Sequence, residues 1–126
     1  MAGEQILVVE DNERNMKLFR DILQVKGYRT LEATTGGQAI ELASEHAPDL
    51  VLMDIRLPDF DGVEALGRLR ADERTASIPV LALTAQAMEG DREQCLAAGF
   101  DGYVSKPVNV VELLGTVRGH CDGHGR

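Results

Sequence analysis

The chain has 126 residues, of which 44% are hydrophobic and 27% charged, and its formal net charge at pH 7 is −8. This length and composition are typical of one compact globular domain and exclude disordered and collagen-like chains. The acidic charge and the aromatic content of 4% argue against direct binding of nucleic acid, whose phosphates favour basic surfaces and whose bases stack on aromatic rings.

The sequence also predicts a cytoplasmic protein with no membrane partner. No segment approaches the ~20 apolar residues of a membrane span, and the first five residues lack the basic start of a signal peptide. The cysteines are Cys95 and Cys121. Because they form no CxxC pair and have no metal-ligand spacing, we expect free thiols rather than a disulfide or a zinc site.

Along the chain, short apolar runs alternate with segments of helical period. Residues 6–9 are uniformly apolar, which is typical of a strand buried on both faces. Met16, Phe19 and Leu23 follow at helical spacing, and Gly27 is placed to end that helix. The first strand and helix therefore form one βα unit.

The second unit is marked by its helix ends. Residues 28–33 predict a weaker strand, since apolar and polar residues mix there. Thr35 and Gln38 have the spacing of a capping box at the helix start, and Pro48 lies just past the helix end. Residues 50–53 are again fully apolar and predict the third strand.

The remaining units follow the same alternation. The apolar positions of the third helix are Val63, Leu66 and Leu69. Residues 80–83 predict the fourth strand, residues 88–98 a fourth helix that Gly99 ends, and residues 102–105 a short fifth strand. The last helix is marked by Val110, Leu113, Leu114 and Val117.

Five βα units predict an α/β fold: a doubly wound, five-stranded parallel sheet with helices on both faces. We expect a single domain over residues 1–126, with a core from about 5 to 120 and a flexible tail at 121–126. Ligands of such sheets bind at the carboxyl ends of the strands, where the strand order reverses. In the flavodoxin-like (βα)5 order 2-1-3-4-5, that point lies between the first and third strands.

Polar residues stand at four predicted strand ends. Glu10 and Asp11 follow the first strand, Asp54 the third, Thr84 the fourth, and Lys106 comes just after the fifth. Three carboxylates, a hydroxyl and an ammonium can hold a divalent cation and stabilise a phosphoryl group on a carboxylate.

Each residue also has a purely structural explanation. Glu10 and Asp11 could be acids favoured by a helix dipole, Asp54 a turn residue, Thr84 a helix cap and Lys106 an exposed loop lysine. Their occurrence together at one edge of the predicted sheet favours a functional site.

Six motifs at and around these strand ends match one known family in type, order and spacing: Val8-Val9-Glu10-Asp11-Asn12, Leu52-Met53-Asp54-Ile55, Leu57-Pro58, Asp61-Gly62, Leu83-Thr84-Ala85 and Ser105-Lys106-Pro107. From residue 5 to about 120, the chain resembles the receiver domain of two-component response regulators (CheY-like). Within the family, three segments are most similar to single-domain regulators of cell division: residues 10–12, 15–19 and 84–88.

The resemblance implies a site chemistry. Asp54 would be the phosphorylated residue, with a histidine kinase or a histidine phosphotransfer protein as donor. Glu10, Asp11, Asp54 and the backbone carbonyl of Arg56 would hold Mg²⁺ (or Mn²⁺). Thr84 and Lys106 would stabilise the phosphoryl group, and a cis peptide between Lys106 and Pro107 would aim the lysine inward.

The resemblance also implies an output. Thr84 and Tyr103 would form a switch that couples Asp54 to the surface of the fourth helix, fifth strand and fifth helix, where a downstream protein would bind. For Tyr103, simple packing is an equally good explanation. Arg56 and Gln86 would tune the lifetime of the phosphoryl group. The implied protein is a monomer or weak dimer and takes part in its own phosphoryl transfer without turning over an external substrate.

Other classes remain open from the residues alone. A hydrolase of the haloacid-dehalogenase type also uses a strand-end Asp with Mg²⁺, but it needs a second acid where this chain has Arg56. A flavin carrier needs a phosphate loop after the first strand, where Glu10 and Asp11 would repel the phosphate. A scaffold would leave the strand-end motifs unexplained.

Within the receiver class, the sequence leaves the biological setting open. We expect a complete single-domain regulator. The alternatives are a receiver module excised from a hybrid histidine kinase or a multidomain regulator, and a phosphate shuttle without an output of its own.

Overall fold

A computed structural model describes residues 4–55, 59, 62–84, 96–105 and 110–123. The five strands are β1 Gln5–Val9, β2 Arg29–Ala33, β3 Leu50–Asp54, β4 Val80–Thr84 and β5 Gly102–Ser105. They form one sheet with the order β2-β1-β3-β4-β5, and every pairing is parallel. The predicted doubly wound sheet and its flavodoxin-like order are confirmed.

Helices cover both faces of the sheet. Four are described: α1 Glu13–Val25, α2 Gly36–His46, α3 Gly62–Ala71 and a C-terminal helix Val110–Gly123. Of the predicted helix at 88–98, residues 96–98 are helical, and Gly99 ends it with a φ of 110°. The rest of that helix lies outside the described residues. None of the described helices combines the length and apolar character that a membrane crossing requires.

Side-chain caps fix where two helices begin. Asn12 precedes α1, and its Oδ1 accepts a hydrogen bond from the Asn15 backbone N–H at 3.1 Å. Thr35 does the same for α2, accepting from the Gln38 N–H at 3.1 Å, as the capping-box spacing predicts. The return bond differs from the standard box, because Gln38 Oε1 accepts from the N–H of Thr34 and not from that of Thr35.

The core consists of two apolar layers, one on each face of the sheet. One layer packs under α1 and the C-terminal helix and includes Ile6, Val8, Phe19 and Leu113. The other packs under α2 and α3 and includes Leu7 and Val9 together with Ala43 and Leu66. Successive residues of β1 alternate between the layers because side chains alternate along a strand. Both layers are apolar, which explains why the strands are uniformly apolar in sequence.

Three details differ from the sequence prediction. Val63 is 45% exposed, and the inward positions of α3 are occupied by Ala65, Leu66 and Leu69. The C-terminal helix runs to Gly123 and includes residues 121–123, which the sequence assigned to a tail. A single glycine such as Gly119 weakens a helix by about 1 kcal/mol but does not have to end it. Four strand bounds also shift by one residue: β1 begins one residue earlier and β2 one residue later than predicted, and β3 and β4 each end one residue later.

Arg70 joins three elements at the edge of the sheet opposite the carboxyl ends of the strands. The Arg70 guanidinium donates to the carbonyls of Ala76 (3.1 Å) and Ile78 (2.6 Å) and to Asp101 Oδ2 (2.8 Å). The same Asp101 oxygen accepts from the Val80 N–H at 2.8 Å. One side chain thus joins the end of α3 to the starts of β4 and β5.

Arg70→Lys should lower the free energy of unfolding by about 1–2 kcal/mol, because an ammonium cannot reproduce the forked donor pattern of a guanidinium. Urea unfolding measures the loss. The matched control is Arg68→Lys in the same helix, where Arg68 forms an exposed pair with Glu64 at 2.8 Å and the expected change is below about 0.5 kcal/mol. Equal losses in both variants would contradict the stabilising role assigned to the Arg70 hydrogen bonds.

Candidate functional site

The register between β1 and β3 brings the predicted acids together. Val9 pairs with Met53, so the residues that follow them, Glu10 and Asp54, stand at the same edge of the sheet. Asp54 is the last residue of β3, and Asp11 follows Glu10 on the loop to α1. This edge holds the carboxyl ends of the strands at the switch point between β1 and β3, where ligands of doubly wound sheets bind.

The three acids form one cluster. Glu10, Asp11 and Asp54 each place a carboxylate oxygen within 4.8 Å of the other two. Glu10 is 1% exposed and Asp54 is 7% exposed, whereas Asp11 is open to solvent. Three carboxylates this close, two of them buried, repel one another, and a cation bound between them would remove the repulsion.

The donor set fits magnesium. Mg²⁺ binds oxygen ligands at about 2.1 Å in an octahedron, so that ligands on opposite sides lie about 4.2 Å apart, and it keeps several waters. Three carboxylate oxygens within 4.8 Å need only small movements to reach such a cation directly or through a water. These residues would hold the ion at the edge of the sheet between β1 and β3.

Backbone contacts hold Glu10 in place. Its N–H donates to the carbonyl of Ala33 at 3.0 Å, and its Oε2 accepts from the Asn12 N–H at 3.2 Å. The cap of α1 is Asn12 and not one of the acids. Glu10 and Asp11 therefore stand ahead of the helix cap, and the helix-dipole explanation alone does not account for their clustering with Asp54.

A glycine at the start of α3 lies against the backbone of Asp54. The Gly62 N–H donates to the Ile55 carbonyl at 2.7 Å. A Cβ at Gly62 would stand 2.7 Å from the Asp54 carbonyl oxygen and 2.9 Å from the Ile55 Cα. Real Cβ atoms do not approach backbone atoms that closely, so glycine is required for α3 to begin beside the central acid.

The structure places Thr84 and Tyr103 on the neighbouring strands. Thr84 is the last residue of β4, next to β3, and its backbone pairs with Ser105 at the end of β5. Tyr103 pairs with Ala82, two positions before Thr84, and its half-buried side chain packs against the layer under α2 and α3. The backbone of Thr84 thus lies at the same edge as the acids.

Four predicted site residues lie outside the described part of the chain: Arg56, Gln86, Lys106 and Pro107. Their assigned roles in metal binding, phosphoryl stabilisation, lifetime and the cis peptide stay predictions.

Sequence reasoning missed Asp59. Its two carboxylate oxygens accept the backbone N–H groups of Gly36 and Gly37, each at 2.9 Å. The Gly-Gly pair at the start of α2 is the signal that could have indicated it, because two small residues leave backbone N–H groups open to an approaching side chain.

Comparison with known proteins defines the class. The model of the response regulator receiver domain matches residues 6–118, and the chain belongs to this family. It is 45% identical over 117 residues to the polar-differentiation response regulator DivK of Brucella ovis, a match that covers 93% of this chain and 95% of DivK. The DivK of Brucella anthropi is 44% identical over the same length. Both the family resemblance and the narrower likeness to a cell-division regulator are confirmed.

Solved structures agree with this placement. The receiver domain of a sensor histidine kinase from Pseudomonas aeruginosa PAO1 is 40% identical with a TM-score of 0.89, over 97% of this chain and all of that domain, and it holds a magnesium ion in its active site cleft. A response regulator from Chloroflexus aurantiacus is 28% identical with a TM-score of 0.90, over 95% of this chain and 98% of that one. Receiver domains are usually not turnover enzymes, and neither the hydrolase nor the flavin carrier gains support.

Gly62→Ala should lower the free energy of unfolding by about 1–3 kcal/mol, since the added methyl pushes on the Asp54 backbone. It should also weaken Mg²⁺ binding, measured by titration calorimetry. Gly67→Ala in the same helix is the control: a Cβ there meets nothing within 4 Å, so the helix should gain about 0.5–1 kcal/mol. If Gly62→Ala binds Mg²⁺ as tightly as the wild type, the contact between Gly62 and the Asp54 backbone does not contribute to cation binding.

Proposed function

We propose that this chain is a phosphoacceptor response regulator whose Asp54 is phosphorylated, with Mg²⁺ bound, by a histidine kinase or a histidine phosphotransfer protein. The observation that carries the proposal is the cluster of Glu10, Asp11 and Asp54 at the switch point of the sheet. The magnesium ion in the cleft of the Pseudomonas aeruginosa receiver supports the choice of cation.

The position of Asp54 favours it as the phosphorylated acid. Strand β3 lies between β1 and β4, so Asp54 stands between the acids that follow β1 and Thr84 at the end of β4. Glu10 is more deeply buried and accepts a backbone hydrogen bond, and Asp11 is the solvent-exposed member of the cluster. Of the three acids, Asp54 is the one with cation ligands on one side and a hydroxyl-bearing residue on the other.

The transfer converts a phosphohistidine into an acyl phosphate. A carboxylate oxygen of Asp54 attacks the phosphorus, the bond from phosphorus to the donor nitrogen breaks, and the donor imidazole keeps the electron pair. Glu10, Asp11, Asp54 and the backbone carbonyl of Arg56 would hold the cation, and its charge would neutralise the phosphoryl oxygens, which is the main requirement of phosphoryl transfer.

The other assigned residues act after the bond has formed. Thr84 donates a hydrogen bond to one phosphoryl oxygen, and Lys106 pairs with another. Arg56 and Gln86 control how easily water reaches the acyl phosphate and so set its lifetime. The Thr84 backbone at the edge of the sheet and the place of Lys106 directly after β5 support these roles.

Incubation with a small acyl-phosphate donor and Mg²⁺ should add the mass of one phosphoryl group to the wild type and nothing to Asp54→Asn. Intact mass spectrometry reads the result. Asp11→Asn is a second variant: because it removes a cation ligand and keeps the acceptor, its labelling should recover as Mg²⁺ is raised. Labelling of Asp54→Asn equal to the wild type, or of neither protein, would overturn the proposal.

The output is a change in the surface around β5, which binds a downstream protein. Tyr103 packs half-buried beside the strand that ends in Thr84, so a shift at Thr84 on phosphorylation changes the environment of the ring. This is a two-state element whose populations the phosphoryl group biases.

Tyr103→Ala should abolish the change in hydrogen exchange that phosphorylation causes in residues 96–105, whereas Tyr103→Phe should keep most of it because the ring remains. Exchange is measured by mass spectrometry with and without the acyl-phosphate donor. If Tyr103→Ala responds like the wild type, the ring is packing only.

The relatives favour two settings for this switch. The match to DivK over 93% of the chain favours a single-domain regulator of cell division and polar differentiation. The 40% identity to the receiver of a sensor histidine kinase supports the second candidate, a receiver module of a hybrid kinase or a phosphate shuttle. The chemistry at Asp54 is the same in both.

A further inference from the structure

The loop after the phosphoacceptor strand is bonded to a helix distant in sequence. Asp59 lies five residues beyond Asp54 and three before Gly62. Its Oδ1 accepts from the Gly36 N–H and its Oδ2 from the Gly37 N–H, each at 2.9 Å, across 23 and 22 positions of the chain.

This contact provides hydrogen-bond acceptors for backbone N–H groups in the first turn of α2. The first turn of a helix has backbone N–H groups without helical partners and carries partial positive charge. The first turn of α2 contains no acidic residue, and Thr35 accepts from the Gln38 N–H. Asp59 supplies the missing anion and takes two further N–H groups, so a bidentate, charge-assisted contact joins the loop to the helix.

The same contact constrains the loop beside the acidic cluster. The loop is held at its start by Asp54 in β3 and at its end by the bond from Gly62 to Ile55. Between these two ends, Asp59 attaches the loop at a third point, to helix α2. Fixing a loop in advance removes conformational entropy that cation binding would otherwise have to overcome.

We infer that Asp59 is a positioning residue for the acidic site: its contact with the start of α2 fixes the chain between Asp54 and Gly62 and so favours the placement of the Asp54 carboxylate that binds Mg²⁺. This inference rests on the proposed function, in which Asp54 is a ligand of Mg²⁺. Asp59 itself is not a cation ligand.

The matched control separates positioning from simple helix capping. Thr35→Ala removes a cap from the same end of α2 and leaves the loop untouched. Asp59→Ala removes a cap and the loop attachment together. Asp59→Asn keeps one acceptor oxygen and is the conservative variant. Both Thr35→Ala and Asp59→Ala should lower the melting temperature, because each leaves backbone N–H groups of α2 without an acceptor.

Magnesium affinity distinguishes the two roles. Titration calorimetry with MgCl₂ should show weaker binding on the order of ten-fold for Asp59→Ala, a smaller loss for Asp59→Asn, and wild-type affinity for Thr35→Ala. Circular dichroism confirms that each variant is folded at the temperature of titration. Equal losses for Thr35→Ala and Asp59→Ala, or wild-type affinity in Asp59→Ala, would overturn the inference.

A second measurement needs no variant. Coupling between two sites is reciprocal, so Mg²⁺ should strengthen the Asp59 contact by the factor by which that contact strengthens Mg²⁺ binding. The amide protons of Gly36 and Gly37 should therefore exchange more slowly in NMR when MgCl₂ is added to the wild type, and unchanged exchange would count against positioning. A wild type that neither binds Mg²⁺ nor is labelled at Asp54 would overturn the proposed function as well. A wild type that does both while Asp59→Ala binds normally would overturn the positioning role alone.

Discussion

The parallel pairing of β1 with β3 is the constraint on which the rest of the structure depends. It places Glu10 and Asp54 at the same edge of the sheet and makes three carboxylates neighbours. Their mutual repulsion opposes folding, and the burial of apolar residues on both faces of the sheet, as along β3 and β4, outweighs it. A cation that binds at this site would neutralise the charge of the carboxylates, so cation binding would stabilise the folded state.

The two edges of the sheet are held differently, which suits a switch. At the edge opposite the acids, Arg70 and Asp101 join α3, β4 and β5 through several hydrogen bonds. At the acidic edge, the chain after Asp54 is held by the close approach of Gly62 to the Asp54 backbone and by the hydrogen bonds from α2 to Asp59. These contacts at the opposite edge favour structural change in the loops around the acids, where the proposed phosphorylation would add charge.

Local sequence patterns predicted the elements better than their orientation. The capping residue Thr35 and the terminating Gly99 were correct because capping and left-handed backbone depend on neighbouring residues. Val63 was assigned to the apolar stripe of α3 but is 45% exposed. Helical spacing alone could not decide this, since Val63 and Ala65 lie on different sides of the helix and only the packing against the sheet selects one.

The sequence by itself determined the parallel sheet, the family and the acids Glu10, Asp11 and Asp54, because apolar runs and strand-end polar residues are local features that parallel strands bring to one edge. The tertiary structure alone decided which atoms meet there. The distance between carboxylates, the backbone contact that makes Gly62 necessary and the bonds from Asp59 to Gly36 and Gly37 all join residues of different parts of the fold. No periodicity records such contacts, since they arise from how the elements pack and not from the order of residues within any one of them.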